Sequence, residues 1–515
     1  MQNNIGLFVT KRASMQPEQE AVVDLGTGKR LNYRELEVRC NRFANSLLDN
    51  GLSSGDRVAT LLMNGAEFVE VFFGTAKVGG VVVPLNWRLV ADELSFILSD
   101  SGAETLVFGS AFSEVVSALH ARGEAGTKVK NWLYIGDVAE CPSFAVGYED
   151  QLANASDAAA PIGASDDDLL FIMYTSGTTG LPKGVMHSHN TTMWASVTAL
   201  MTADIQWDDR YLICLPLFHV GALNPLLSTI HRGGTIAIMA EFDPVRIWHI
   251  YAEEKITVTL AVPAMLNFML ATYDSTAYDL SNLRWIMSGA APVPVSLIEK
   301  YAGMGFPIHQ VYGLTESAGP ACLISPSEAV KRAGSTGKAF FHTDIKVIDS
   351  DGNAVAPGET GELLIRGPHV MVGYWNRAEA TAETIVDGWL HSGDIAMIDA
   401  DGYIYIQDRI KDMIISGGEN VYPAEIENVL AGHDGIQDVA VIGMPSEKWG
   451  ESPLAIVVKA DDTLTADDVL AYSKGKLAPF KLPKSVEFID VIPRNPTGKV
   501  LKRVLRDRFP GPASS

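Results

Sequence analysis

The sequence predicts an α/β protein with a large N-terminal domain and a small α+β C-terminal domain. The large domain is expected to hold parallel α/β sheets and an antiparallel β-barrel-like subdomain. Three observations carry this prediction: helix and strand patterns alternate over residues 30–85, short strands and tight turns fill 345–406, and a mixed unit follows 410. With 515 residues, the chain has room for roughly three compact units.

The parallel sheets are predicted from helices that alternate with apolar strand-like runs. Asn32 followed by Glu35 is a capping-box pattern, and the helix after it carries Leu36, Phe43 and Leu47 as an apolar stripe. Strand, helix and strand patterns follow at 58–62, 68–76 and 81–84, with further buried strands expected at 256–262 and 283–287. Such a succession implies βαβ units. Residues 140–165, rich in Ala, Ser and Asp, are predicted to form a surface connection.

Short strands with tight turns predict the antiparallel subdomain, and a mixed pattern of helices and strands predicts the C-terminal unit. Tight turns are expected at 350–352, 356–358 and 399–402, between short strands. After a boundary near residue 410, Pro423 and Thr465 begin helices, and strands are expected at 439–442 and 454–458. A final helix is predicted from an apolar stripe of Leu501, Val504, Leu505 and Phe509.

Composition limits the possible partners. A net charge of −22 argues against nucleic acid or an anionic membrane as the main partner. Between Lys474 and Arg508, however, ten basic residues face three acidic ones, which suits a polyphosphate ligand or a solvated helix face. Residues 211–230 are uncharged but contain prolines, His219 and Asn224, so a buried segment beside a site is expected instead of a transmembrane span. The four separated cysteines fit a reducing cytosol, which predicts a cytoplasmic location.

Residues 168–189, DLLFIMYTSGTTGLPKGVMHSH, are the most informative stretch. An apolar strand breaks into a loop rich in Gly, Ser and Thr, and Lys183 follows before a second strand. Backbone N–H groups, hydroxyl donors and a lysine charge together favour phosphate. The spacing is not that of a Walker loop, because Lys183 lies three residues after Gly180 and precedes a glycine. The sequence therefore predicts a phosphate-binding turn between two strands.

Three later strings carry compatible chemistry. HQVYGLTE ends at Glu316, and its Tyr312 can stack on a purine while Gly313 allows close backbone approach. WLHSGD ends at Asp394, a carboxylate that can accept both ribose hydroxyls. RNPTGK offers Lys499 on a loop that two prolines restrict.

These strings together resemble the motifs of the adenylate-forming enzymes: acyl-CoA synthetases, luciferases and peptide-synthetase adenylation domains. The string DRIKDMIISGGENVYPAEIE, with EKWGE and IPRNPTGK, is most similar to bacterial fatty-acyl-CoA synthetases. The resemblance implies domains at 1–408 and 412–515 around a hinge at 409–411, with Lys411 as the hinge residue and a mobile C-terminal domain. P-loop kinase and Rossmann alternatives fail on spacing.

The resemblance also implies a role for each matching residue. Catalytic roles fall to Lys499, Thr315, Glu316 and His219, and Mg2+ binding to Thr175 and Glu316. ATP or AMP binding is implied for Thr175, Ser176, Gly177, Thr178, Thr179, Gly180, Lys183, Gly289, Ala290, Ala291, Gln310, Val311, Tyr312, Gly313, Asp394 and Arg409. CoA binding is implied for Gly417, Gly418, Trp449, Phe480, Lys481 and Lys484, and the acyl pocket for His219, Val220, Gly221, Ala222, Gly289 and Gly313.

The expected reaction joins a carboxylic acid to coenzyme A through an acyl-AMP, with ATP as co-substrate and release of pyrophosphate. Amino-acid-activating relatives have Phe-Asp where this chain has Phe218-His219, so no carboxylate awaits a substrate ammonium. Leu482 stands where some relatives carry arginine, which leaves individual CoA contacts open. A medium- to long-chain fatty acid is expected, with aryl or alicyclic acid ligation as the alternative. A CoA-independent amide synthetase and a non-enzymatic nucleotide-binding regulator stay open, and a homodimer is possible.

Overall fold

The computed structural model describes residues 3–175, 182–291, 293–325, 327–416, 419–446, 449–474, 476–477, 479, 481–494 and 498–510. The α-helices are α1 Leu7–Met15, α2 Tyr33–Asp49, α3 Ala66–Lys77, α4 Ala91–Ser101, α5 Ser113–Ala121, α6 Tyr148–Asn154, α7 His189–Thr202, α8 Val220–Arg232, α9 Arg246–Glu253, α10 Pro263–Thr272, α11 Val295–Gly303, α12 Ala378–Thr384, α13 Pro423–Leu430, α14 Ala466–Ser473 and α15 Lys502–Arg508.

The first strands are β1 Glu20–Asp24, β2 Arg30–Asn32, β3 Arg57–Leu61, β4 Val81–Pro84, β5 Thr105–Gly109, β6 Asn131–Ile135, β7 Val146–Gly147, β8 Leu169–Thr175, β9 Lys183–Ser188, β10 Arg210–Ile213, β11 Thr235–Ile238, β12 Val258–Leu260, β13 Trp285–Ser288, β14 Ile308–Tyr312, β15 Cys322–Leu323 and β16 Lys338–Ala339. The later strands are β17 Asp344–Ile348, β18 Thr360–Arg366, β19 Gly373–Tyr374, β20 Ile385–Val386, β21 Trp389–Ile398, β22 Ile404–Arg409, β23 Ile414–Ser416, β24 Glu419–Val421, β25 Ile436–Ser446, β26 Gly450–Lys459 and β27 Ser485–Phe488.

Two mostly parallel sheets build the large N-terminal part, as predicted. One runs β19-β9-β8-β4-β3-β5-β6-β7, and the other runs β16-β15-β14-β13-β12-β10-β11-β1-β2. Their shared core includes the fully buried Phe43, Phe72 and Trp248. The carboxyl ends of parallel strands open at one edge of a sheet, where α/β proteins place their ligands. Here β8 and β14 end in the predicted phosphate and purine motifs.

Antiparallel pairing takes over later in the chain. Strands β17, β18, β21 and β20 form a third sheet, with β22 added on β21. After it, β24-β23-β26-β25 with β27 on β26 form the sheet of the C-terminal unit, against which α13, α14 and α15 pack. The predicted fold class is confirmed; the boundaries 1–408, 409–411 and 412–515 stay predictions.

Local predictions hold where the signal lies within one element. The Asn32 side-chain oxygen accepts a hydrogen bond from the backbone N–H of Glu35 at 2.8 Å, and the Glu35 carboxylate accepts one from the backbone N–H of Asn32. The helix α2 therefore begins where the capping pattern predicts. Thr465 caps α14 in the same way, and Pro423 occupies the first turn of α13.

Two local predictions are wrong in part. The expected surface connection at 140–165 contains β7 and α6, because Tyr148 is buried and its hydroxyl donates to Glu70 at 2.8 Å. The stripe of the last helix is incomplete: Leu505 is buried, but Val504 is 41% exposed. The uncharged run 211–230 divides between β10 and α8, beside the cleft described next.

Candidate active site

A cleft of about 2800 Å³ lies between the large N-terminal part and the C-terminal unit. Its wall includes Thr175, Glu316 and Asp394 from the N-terminal sheets and Lys499 from the C-terminal unit. The structure therefore brings residues from four separate sequence motifs to one cavity.

The phosphate motif joins β8 and β9, as predicted. Thr175 pairs with Lys183 at the end of this antiparallel pair where the motif connects the two strands, and both line the cleft. The Lys183 Nζ lies 5.0 Å from the centre of the Tyr374 ring, which orients its charge. Ser176, Gly177, Thr178, Thr179 and Gly180 lie outside the described residues, so their predicted roles stay predictions.

Two buried histidines hold the short helical turn Thr315–Ser317. His187 Nε2 donates to the carbonyl of Thr315 at 2.8 Å, and His369 Nδ1 donates to the carbonyl of Ser317 at 3.0 Å. Burial lowers the pKa of each histidine to about 4, so both rings are neutral at pH 7. Glu316 projects from this turn into the cleft, where its Oε1 accepts from the Tyr374 hydroxyl at 2.9 Å.

Asp394, the predicted ribose-binding carboxylate, lines the cleft. Asp394 is 4% exposed, and its Oδ2 accepts from the Tyr312 hydroxyl at 2.6 Å. Arg409, its partner across β21 and β22, brings Nε to 3.4 Å from Asp394 Oδ1. Burial and the Asp394 charge raise the pKa of Tyr312, so the phenol stays protonated and keeps donating.

The predicted purine wall is built from close backbone packing. A Cβ at Gly313 would lie 1.4 Å from the Gly319 carbonyl oxygen, and one at Gly289 would lie 2.3 Å from that of Val311. These glycines are therefore required by packing inside the protein, a reason that the sequence does not reveal. Ala290 adopts a left-handed φ of 66°, which is unusual for alanine and places 289–291 under strain. Ala291 and Gln310 also line the cleft, and Gln310 Nε2 donates to the Ser335 carbonyl at 2.8 Å.

Lys499 enters the cleft from the C-terminal unit on a loop held by Arg494. The guanidinium of Arg494 donates to the Gly498 carbonyl at 2.8 Å and pairs with Asp438 at 2.7 Å. A Cβ at Gly498 would touch Val262 at 3.0 Å, so the backbone at Gly498 lies directly against the large domain.

Burial and the charged side chains around the Lys499 ammonium determine its pKa. Burial, with the positive charge of Arg409, lowers the pKa of Lys499 to about 8. The carboxylates of Asp394 and Glu316 partly oppose that lowering of the pKa. Partial burial of the Lys411 amine, with the positive charge of Arg409, lowers the pKa of Lys411.

Five of the six predicted acyl residues line the cleft. His219, Val220 and Gly221 line it at the start of α8, whereas Ala222 is 1% exposed and packs into the main core. Within the described part of the chain, His219 Nε2 has no hydrogen-bond partner. Burial and the Arg88 charge lower the pKa of His219 to about 3, so the imidazole is neutral at pH 7. The cleft lining also includes six buried apolar and aromatic residues, here called the inner wall: Ala199, Ala203, Ile205, Tyr211, Trp285 and Phe340.

Of the predicted CoA residues that the structure describes, Trp449, Lys481 and Lys484 are not part of the cleft lining. Trp449 is 42% exposed on the C-terminal unit, and Lys481 Nζ pairs with Glu425 at 2.7 Å. Lys484 Nζ donates to the Pro479 carbonyl at 3.2 Å. Gly417, Gly418 and Phe480 lie outside the described residues.

Sequence reasoning missed several supporting residues. His187, His369 and Tyr374 hold Glu316 and its turn. His187 lies within the 168–189 stretch and could have been found there, whereas nothing in the sequence neighbourhood of His369 and Tyr374 marks them. Arg494 lies within the RNPTGK string and could have been found there.

Comparison with known proteins identifies the family. A model described as "AMP-binding enzyme" matches residues 9–375, and one described as "AMP-binding enzyme C-terminal domain" matches residues 425–499. The chain belongs to the AMP-binding enzyme family. This AMP-binding enzyme is a ligase of the acyl-CoA synthetase type, with ATP and CoA as substrates. The family resemblance and the enzyme class predicted above are confirmed.

Relatives of this AMP-binding enzyme differ in the acid that their names give. It is 43% identical over 506 residues to the long-chain-fatty-acid–CoA ligase FadD13 of Mycobacterium tuberculosis, covering 98% of each chain. It is 41% identical over 507 residues to a feruloyl-CoA synthase of an Amycolatopsis species, covering 98% of this chain and 99% of that one. The crystal structure of ATP-bound MatB from Rhodopseudomonas palustris matches with a TM-score of 0.90 at 32% identity over 99% of each chain.

The described residues contain no helix that is both long and apolar enough to cross a bilayer. They also contain no group of three or more His, Cys, Asp or Glu side chains suited to a metal ion. A cation at Glu316 would therefore need oxygen ligands from a bound phosphate, which is the arrangement Mg2+ commonly adopts.

Proposed function

We propose that this enzyme activates a medium- to long-chain fatty acid as acyl-AMP and transfers the acyl group to coenzyme A. In the first step a carboxylate oxygen attacks the α-phosphorus of ATP, and the bond to the β-phosphate breaks to release pyrophosphate. In the second step the CoA thiol loses its proton and its sulfur attacks the acyl carbon, displacing AMP. The observation that carries the proposal is the meeting of Lys499 with Glu316, Asp394 and Arg409 at one cleft.

Each side chain has a task that its surroundings favour. Asp394 accepts from the ribose hydroxyls, and Tyr312, held by Asp394, walls the purine site. Lys183 and the Lys499 ammonium balance phosphate charge as it develops in the first step. The 0.90 TM-score against an ATP-bound relative supports a domain orientation suited to adenylation.

Mg2+ belongs to the same proposal. The Glu316 carboxylate and Thr175 hydroxyl are hard oxygen donors beside the phosphate motif, and both line the cleft. They fit a magnesium ion whose remaining ligands come from ATP and water. When bound, the ion supplies charge neutralisation of the phosphates. The predicted cytoplasmic location and the possible homodimer stay predictions.

The choice of a fatty acid rests on the inner wall of the cleft. The six residues of that wall are uncharged and at most 8% exposed, so a long apolar chain loses contact with water there. An aryl acid is the second candidate, because Tyr211 and Trp285 form an edge-to-face pair 6.2 Å apart against which a ring could stack. The relative named for a feruloyl substrate supports this alternative.

The test is a substrate panel. CoA-dependent release of pyrophosphate and AMP is measured with fatty acids of increasing length, aryl acids and alicyclic acids, each at the same concentration. We expect kcat/KM to rise with chain length through the medium range. Higher kcat/KM for an aryl acid would replace the fatty-acid assignment, and pyrophosphate release with an amine but without CoA stimulation would replace the ligase assignment.

A further inference from the structure

A buried ion cluster spans the predicted hinge. Lys502, at the start of α15, places Nζ 3.0 Å from Glu427 Oε1 and 3.9 Å from Asp408 Oδ2. The three side chains are only 11%, 18% and 7% exposed. Asp408 lies before Lys411 in the chain, whereas Glu427 and Lys502 lie after it. Lys502 is also only three residues beyond Lys499, on the same segment.

Asp408 makes a second contact across the hinge. Its Oδ2 accepts from the backbone N–H of Ala424 at 3.0 Å. Ala424 follows Pro423 in the first turn of α13, where backbone N–H groups have no partner inside the helix. A carboxylate at that end of a helix is also favoured by the helix dipole. One residue of the large domain therefore contacts both α13 and α15 of the C-terminal unit.

A rotation of the C-terminal unit would break some of these contacts and leave others intact. Turning the C-terminal unit about Lys411 would separate Asp408 from both Ala424 and Lys502. The Lys502–Glu427 pair would persist, because both residues lie on the moving side. Lys502 would thus keep one carboxylate partner throughout, and no buried ammonium would be left without a counter-charge.

Resting on the proposed function, we propose that Asp408 and Lys502 form a latch that holds the C-terminal unit in the orientation for adenylation. Lys502 is in this view a positioning residue for Lys499, and it touches neither substrate nor the reacting atoms. The latch must open before the acyl group is transferred to CoA, so its contribution belongs to the first half-reaction.

A neighbouring ion pair provides a matched control. Arg506, one turn further along α15, pairs with Asp412 at 2.8 Å. Both residues follow Lys411, so rotation about the hinge leaves their contact intact. Removing the Arg506 charge therefore perturbs the same helix without removing either contact of Asp408.

The experiment compares Lys502→Met and Arg506→Met in the full chain. The first half-reaction is measured as acid-dependent exchange of pyrophosphate into ATP, and the second as conversion of supplied acyl-AMP and CoA to thioester. We expect Lys502→Met to slow the first by about tenfold or more, the effect of losing a charged contact. The second should be unchanged or faster. Arg506→Met should change neither by more than about twofold.

Hydrogen exchange of the Ala424 amide reports the latch without any catalysis. We expect faster exchange in Lys502→Met than in the wild type and in Arg506→Met. Asp408→Asn, which keeps the side-chain shape, replaces Lys502→Met if that variant does not fold. Equal slowing of both half-reactions, equal damage from Arg506→Met, or unchanged Ala424 exchange would each overturn the latch. If the wild type shows no acid-dependent exchange, the proposed function fails, while the Ala424 amide still decides for or against the latch.

Discussion

Replacement of Lys499 by alanine tests the division of labour between the two half-reactions. The substitution removes the one ammonium that the C-terminal unit is proposed to bring to the reacting phosphate. The supporting loop should survive, because Arg494 binds the backbone carbonyl of Gly498 and not the lysine side chain. Loss of one preorganised donor costs about 3–4 kcal/mol, or roughly a hundred- to thousandfold in rate.

The assay separates the two steps. Acid-dependent pyrophosphate exchange into ATP should fall by that factor in Lys499→Ala, whereas supplied acyl-AMP and CoA should still give thioester. Lys476→Ala, an exposed lysine of the same unit, is the control and should leave both rates unchanged. Loss of both half-reactions in Lys499→Ala, with the fold intact by circular dichroism, would refute the reasoning.

Three further outcomes are expected. Lys411→Pro should impair thioester formation more than adenylation, because proline restricts rotation at the hinge; equal impairment, measured in the same two assays, would contradict this. The pKa of Lys499 is lowered to about 8, so its ammonium is lost as the pH rises through that value and kcat/KM for pyrophosphate exchange should fall there. A Lys499→Arg variant with residual activity should lack that alkaline fall, because arginine stays charged. Gly313→Ala should lower Tm markedly in calorimetry, because its Cβ would lie 1.4 Å from the Gly319 carbonyl; an unchanged Tm would count against this packing.

Sequence reasoning succeeds here where the signal is local. The Asn32 cap, the two strands that flank the phosphate motif and the turns between β17 and β22 all depend on residues close together in the chain. The prediction for 140–165 is wrong in part, because composition cannot reveal that Tyr148 reaches Glu70, 78 residues away. Burial of that one ring outweighs the Ala, Ser and Asp content around it.

The candidate site shows the same division. The motifs identify residues that line the cleft, because each motif is a short run of residues whose side-chain chemistry can be recognised from the sequence alone. The residues that hold them in place are distant in sequence: Thr315 depends on His187, 128 positions earlier. The reason for Gly313 is likewise a contact with Gly319 that exists only after folding.

Tyr374 has a wider consequence for anyone redesigning this enzyme. Its ring faces the Lys183 ammonium, its hydroxyl binds Glu316, and its strand β19 pairs with β9. Lys183, Glu316 and strand β9 are therefore connected through Tyr374 and its strand, so a substitution that moves one of them will also displace the others. Under the proposed function, efforts to change the accepted acid are better directed at Ala199 and Ala203 of the inner wall, which take no part in these contacts of Tyr374.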